Sequence, residues 1–210
     1  MAIDNYTYKQ TAGETGGPLL FVFHGTGADE NQFLSIGRHL APDATIVAPR
    51  GDVSEFGAAR YFRRTGEGVY DMADLARATE KMLAFVEAHR AEIKPSSVLG
   101  LGYSNGANIL ASAIFAQPGL FDAAVLMHPL IPFEPKVEGT LADTRILMTA
   151  GRHDPICPAP QTQRLESDFG RHGAIVETIW HDGGHEVRPV EMEAAQRFLA
   201  SSGARQSDDR

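Results

Sequence analysis

A chain of 210 residues, 43% hydrophobic and 22% charged, is long enough to bury a sizeable core as a single domain. Its formal net charge of −8 is spread among interspersed acidic and basic residues, so no basic stripe exists to track a phosphate backbone, and nucleic acid is not expected as a partner. The single cysteine, Cys157, excludes an intramolecular disulfide, no apolar run nears the roughly 18 residues of a membrane span, and Met1 to Tyr8 lack the features of a secretory signal. A cytoplasmic setting is the expectation.

In chain order, Tyr6-Thr7-Tyr8-Lys9 alternates weakly and suggests an antiparallel edge strand. Short apolar runs at Leu19–Phe23, Thr45–Ala48, Ser97–Leu101, Ala123–Met127, Arg145–Thr149 and Ile175–Trp180 read as strands. Most are apolar throughout rather than alternating, as parallel strands covered on both faces must be. Helical spacing fills the intervals at Glu30 to Leu40, Asp71 to Ile93, Ala107 to Gln117, Pro160 to His172 and Pro189 to Ser201. Asp71 is a natural N-cap with Asp74 three residues on, and Pro95 stops that helix. The alternation predicts an α/β fold: a mainly parallel central sheet, helices on both faces, and no insertion large enough for a lid domain. One domain is expected over residues 1–203, with 204–210 a disordered tail inside a polar stretch that begins at Ser201.

In such sheets, reactive residues lie at the carboxyl ends of strands. The run Gly102-Tyr103-Ser104-Asn105-Gly106 falls there, between a strand and a helix. It reads as a nucleophile elbow, a sharp turn that holds a serine hydroxyl clear of the backbone, with glycines two residues either side where chain segments crowd together. An activated serine needs a base, and the base needs an acid to fix its tautomer.

Eight histidines compete for the base. His39, His89 and His172 fall in or at the ends of helices and read as surface residues, while His24 is better suited to shaping the glycine loop that follows it. His185, after the last strand and before the last helix, stands where the chain order Ser, Asp, His puts the base; His181 is its rival. Asp154, in the loop after the preceding strand, is favoured as the acid over Asp182, which adjoins the base region and would have to fold back on it.

An oxyanion needs backbone N–H donors. Asn105, just after the nucleophile, supplies one, and Thr26 in His24-Gly25-Thr26-Gly27 is chosen for the second, with Gly25 and Gly27 as alternatives. Cys157 reads as a small buried hydrophobe, the histidines show no metal-ligand spacing, and the glycine loop matches neither a dinucleotide nor a Walker fingerprint. No metal or cofactor is therefore expected. Arg60, Arg63 and Arg64, interleaved with Tyr61 and Phe62, serve either a solvated surface or a wall beside the substrate. Phe56, Phe62, Leu130, Ile131 and Ile156 are the candidates to line the pocket.

Taken together, Phe23-His24-Gly25-Thr26-Gly27, Ala48-Pro49-Arg50-Gly51, the Arg60–Arg64 run, Gly102 to Asn108, Gly151 to Ile156 and Gly183-Gly184-His185 resemble the phospholipase/carboxylesterase group of α/β-hydrolases. These are small serine esterases related to acyl-protein thioesterases and dienelactone hydrolases. The resemblance implies Ser104 as nucleophile, Asp154 as acid, His185 as base, and the Thr26 and Asn105 amides as oxyanion hole. Two departures stand out: acyl-protein thioesterases usually carry Gln where this chain has Asn105, and dienelactone hydrolases proper carry cysteine where it has Ser104.

The expected activity is cleavage of a small-molecule carboxylic ester through an acyl-enzyme. A thioesterase or lactone hydrolase would use the same triad, and a ligand-binding domain without catalysis is the non-enzymatic alternative. Exposed apolar loops on a lidless hydrolase also leave room for a homodimer that would cover them.

Overall fold

A computed structural model describes residues 2–203. The expected disordered segment 204–210 lies outside the described residues. Seven strands form one sheet in the order β1-β3-β2-β8-β9-β10-β11. These are β1 (Tyr8–Thr11), β2 (Leu19–Phe23), β3 (Thr45–Pro49), β8 (Val98–Tyr103), β9 (Ala123–Met127), β10 (Arg145–Gly151) and β11 (Ile175–His181). Every pairing is parallel except β1 with β3. The antiparallel edge strand therefore exists, shifted two residues from the predicted Tyr6–Lys9, because Tyr6 is buried and packs edge-on against Phe85.

The uniformly apolar strands have the cause anticipated for them: both faces are covered. Leu19, Phe21 and Phe23 of β2 point into a core closed by α2 (Met72–Ile93), α3 (Asn105–Ala116) and α4 (Ala159–Arg171). Leu20 and Val22 point the other way, onto α1 (Leu34–Leu40) and α5 (Pro189–Gly203). Asp71 caps α2, its side chain accepting from the Asp74 amide, and Lys94 ends it in the left-handed region just before Pro95.

Three expectations need correction. Helix α1 starts at Leu34 instead of Glu30, since Glu30 turns aside to pair with Arg50 through two hydrogen bonds. Helix α5 continues through Ser201 and Ser202, whose hydroxyls bond back to the Phe198 carbonyl, so the polar stretch does not fray there. His89 is fully buried, its Nδ1 donating to the Phe85 carbonyl with the ring packed on Tyr8 and Phe21, so it is not a surface residue.

Two small hairpins between β3 and α2 carry no counterpart in the predicted elements: β4 (Val53–Glu55) with β5 (Ala58–Arg60), and β6 (Arg64–Gly66) with β7 (Val69–Tyr70). Phe56 and Gly57 form the first turn with φ of 51° and 93°, the two positive values that a tight two-residue hairpin turn requires. Both hairpins and the loops beside them stand at the carboxyl edge of the sheet, where they frame the site.

Candidate active site

The elbow joins β8 to α3. Ser104 sits at its apex with φ 52° and ψ −117°, a conformation unfavourable for a residue with a side chain and held here by the bond from its own amide to the Met127 carbonyl. The flanking glycines explain how the turn closes. A Cβ on Gly102 would come within 2.6 Å of the Gly106 carbonyl oxygen, and one on Gly106 within 2.3 Å of the Phe23 carbonyl oxygen. Both obstacles are backbone and cannot rotate away. Gly106→Ala is therefore expected to destabilise the fold by about 3 kcal/mol or more, read as a lowered midpoint in chemical denaturation; an unchanged midpoint would show that the elbow has slack.

Around this apex, loops that are distant in sequence converge. His185 Nε2 lies 2.9 Å from Ser104 Oγ, and His185 Nδ1 lies 2.7 Å from Asp154 Oδ2. The other oxygen of Asp154 accepts the amides of Ile156 and Cys157, so the carboxylate is locked in orientation within a fully buried side chain. Burial alone would raise its pKa, but these donors and the neighbouring imidazoles outweigh it and hold Asp154 below its ordinary value. The rivals fall away on geometry. His181 faces Glu191, and Asp182 is exposed beside Arg152.

The loop after β2 is fixed from several sides. His24 does shape it: Nδ1 donates to the Gly25 carbonyl, Nε2 accepts the Gly51 amide, and burial depresses its pKa, so the ring is neutral. Of the three candidate donors, the Gly25 amide is taken by Gln32 and the Gly27 amide by the Ala59 carbonyl. The Thr26 amide has no acceptor among the described residues, nor has that of Asn105, and both residues line the cavity that holds Ser104. Arg60 Nη1 donates to Thr26 Oγ1 at 2.7 Å, while Asn105 Oδ1 accepts the Tyr61 amide, tying the first hairpin to both sides of this gap.

The cavity itself has a volume of about 270 Å³. Of the residues expected to line it, Leu130 and Ile156 do. Phe62 and Ile131 do not: they are buried in the core, Phe62 edge-on against Tyr70. Phe56 does not either, because it projects into solvent from its hairpin turn. Polar groups that the sequence left undecided take their place. Arg60 and Arg64 reach the wall, sharing Glu55 as ion partner, whereas Arg63 is exposed. Tyr70 donates to the Leu130 carbonyl and accepts from Asn108, whose Oδ1 takes the Leu130 amide, so Leu130 is clamped at the cavity edge. Cys157 touches the cavity but is almost wholly buried, and burial pushes its thiol far up, so it stays protonated and is no nucleophile at neutral pH.

Two further residues belong to this neighbourhood and received no role from the sequence: His128, at the carboxyl end of β9, and Glu191, in the first turn of α5. His128 Nδ1 lies 2.8 Å from Asp154 Oδ2, the same oxygen that His185 uses. His128 Nε2 lies 3.0 Å from Glu191 Oε1. His128, His181 and Glu191, like His128, Asp154 and His185, bring nitrogen and carboxylate atoms within 4.8 Å of one another, and in both groups these atoms already meet each other directly. His128 stands on the same strand-end rim as the serine and aspartate, which was the signal available to find it.

A parallel sheet with helices on both faces, an elbow serine, and a histidine and aspartate in line behind it define a hydrolase of the α/β class. The dienelactone hydrolase family model matches residues 57–186, more than half of the chain. MhqD of Bacillus subtilis (strain 168), a hydrolase by name, is 35% identical over 186 residues, covering 88% of this chain and 93% of that protein. The chain belongs to the dienelactone hydrolase family. Among solved structures, that of Atu2452, a protein of unknown function from Agrobacterium tumefaciens, is 57% identical with a TM-score of 0.93 and covers 97% of this chain and 100% of that one. A Bacillus cereus carboxylesterase is 32% identical with a TM-score of 0.89, each chain being covered to 94%.

Proposed function

We propose that this protein is a serine esterase that cleaves small carboxylic esters through an acyl-enzyme on Ser104. One observation carries the proposal: the unbroken hydrogen-bond chain Ser104–His185–Asp154, opening onto a cavity flanked by two unclaimed backbone amides. His185 takes the Ser104 proton as Oγ attacks the ester carbonyl. The resulting oxyanion accepts from the Thr26 and Asn105 amides, the latter at the positive end of α3, each contributing roughly 10²–10³ in rate. His185 then protonates the departing alcohol, and a water activated by the same imidazole hydrolyses the acyl-enzyme, returning the proton to Ser104. Every proton is accounted for by His185, so the cycle needs no cofactor.

The relationship to the B. cereus carboxylesterase supports the ester, and the cavity supports a small one. A wall carrying Arg60, Arg64 and Tyr70 suits a polar substituent better than a long alkyl tail. The family match favours a lactone as the second reading, since ring opening uses the same steps with the alcohol retained on the acyl group. With a chromogenic short-chain ester, a burst of alcohol stoichiometric with enzyme is expected before slower turnover. Comparing kcat/KM across an ester, a thioester and a lactone ranks the substrates; the proposal predicts the ester highest, and a clear preference for either of the others would replace it.

A further inference from the structure

We propose that His128 and Glu191 are positioning residues for the triad: His128 is a buried imidazolium, charge-balanced by Glu191, that holds the oxygen of Asp154 on which His185 depends. The inference rests on the esterase reading above, and its tests separate the two.

The geometry fixes one proton and the charges around the ring favour the second. A carboxylate only accepts, so the contact between His128 Nδ1 and Asp154 Oδ2 at 2.8 Å requires a proton on Nδ1. Glu191 is likewise an acceptor. Its Oε1 takes the Thr149 hydroxyl at 2.5 Å, its Oε2 takes the Arg188 amide at 2.6 Å, and it sits in the first turn of α5, where the helix dipole favours an anion. The 3.0 Å contact between Glu191 Oε1 and His128 Nε2 sets a second carboxylate against the ring between side chains with no solvent exposure, and an imidazolium is the form that balances both anions. The approach is oblique to the ring, so it acts as an ion pair more than as a straight hydrogen bond. Burial would lower the pKa of His128; the two carboxylates outweigh it and raise it, while Glu191 is held low by its donors.

The other groups around His128 do not upset this balance. The rings of His181 and His185 pack against it at 5.5 Å and 5.1 Å, His181 sharing Glu191 with it and His185 sharing Asp154, the Tyr103 ring packs edge-on at 5.9 Å, and the Cys157 thiol donates to the His128 carbonyl. Like Ser104, His128 ends its strand with positive φ, 51°, so two adjacent strands each close on a left-handed residue of this network.

The consequence is electrostatic. With His185 neutral, Asp154, His128 and Glu191 sum to −1. When His185 takes the serine proton, the cluster becomes neutral. Without Glu191, His128 would cancel Asp154 and leave nothing to stabilise the imidazolium that catalysis forms. Without His128, the charge of Glu191 would stand unbalanced behind Asp154 and favour the charged form of the triad imidazole more strongly.

Two measurements on the full chain test this. In nitrogen-15 spectra of the histidine side chains, His128 is expected to carry protons on both ring nitrogens at neutral pH, where an ordinary histidine, past roughly pH 6.5, has lost one. A single protonated nitrogen at neutral pH overturns the proposal, whatever the enzyme hydrolyses. In kinetics, His128→Asn keeps a donor toward Asp154 but removes the charge, so the acid limb of kcat/KM should move up by about one pH unit. Adding Glu191→Gln should return it. A purely structural role would lower activity in both variants without moving the limb, and that result also overturns the proposal. Should His128→Asn fail to fold, the wild-type spectra decide.

Discussion

Ser104→Ala is expected to lower kcat by about 10⁴-fold or more while leaving the fold intact. The serine Oγ is hydrogen-bonded to His185 Nε2 at 2.9 Å, and since both residues line the open cavity, water can take its place when it is removed. The strained backbone at position 104 is set by the Ser104 amide bond to Met127 and the crowding at the two glycines, none of which involves the hydroxyl. Thermal midpoint and circular dichroism should therefore match the parent. Residual turnover, from amides that still bind an oxyanion, should remain above the uncatalysed rate by roughly 10³-fold. Cys157 cannot take over, being buried and held protonated. Activity within tenfold of the parent would mean that another group attacks the substrate.

Asp154→Asn should cost nearly as much, about 10⁴-fold in kcat, for a different reason. Asp154 accepts four hydrogen bonds: the Ile156 and Cys157 amides on one oxygen, and the His128 and His185 imidazoles on the other. An asparagine must turn its oxygen to the two amides, which cannot stop donating. Its NH₂ group then faces two imidazole N–H groups. His185 can relieve the clash by moving its proton to Nε2, but that tautomer aims a proton at Ser104 and cannot accept one. His128 has the same conflict while charged, so a loss of stability is expected alongside the loss of rate. A pH–rate profile and a denaturation curve on the same variant distinguish the two losses. Retained activity would contradict the role given to Asp154.

The main elements were legible because each carries a local physical signature. Leu19–Phe23 and Ala123–Met127 are apolar in every position since helices cover both faces, and their observed limits match the runs read from sequence. Asp71 marked the start of α2 by capping chemistry that depends on no distant contact. The hairpins at residues 53–70 escaped because strands of two or three residues are too short to show alternation, although Phe56-Gly57 carried a turn signal.

The site divided along the same line. Chain order and strand ends sufficed to put Ser104, Asp154 and His185 on one rim, and the structure brings the three within hydrogen-bond reach of one another. The pocket was misread where hydropathy was the only guide: Phe62 and Ile131 satisfy the core, while Arg60 and Arg64, left open between a solvated surface and a wall beside the substrate, reach the cavity with Glu55 as their ion partner. His128 and Glu191 lie far apart in sequence and meet through the packing of α5 against β9 and β10, which no local pattern encodes.

The central claim, that Ser104 is the nucleophile, is tested most directly by reacting the folded protein with a fluorophosphonate and mapping the adduct by mass spectrometry. A single phosphonyl group on Ser104, absent from Ser104→Ala, is the expected result. An adduct on another residue, or no adduct on folded protein, would contradict it.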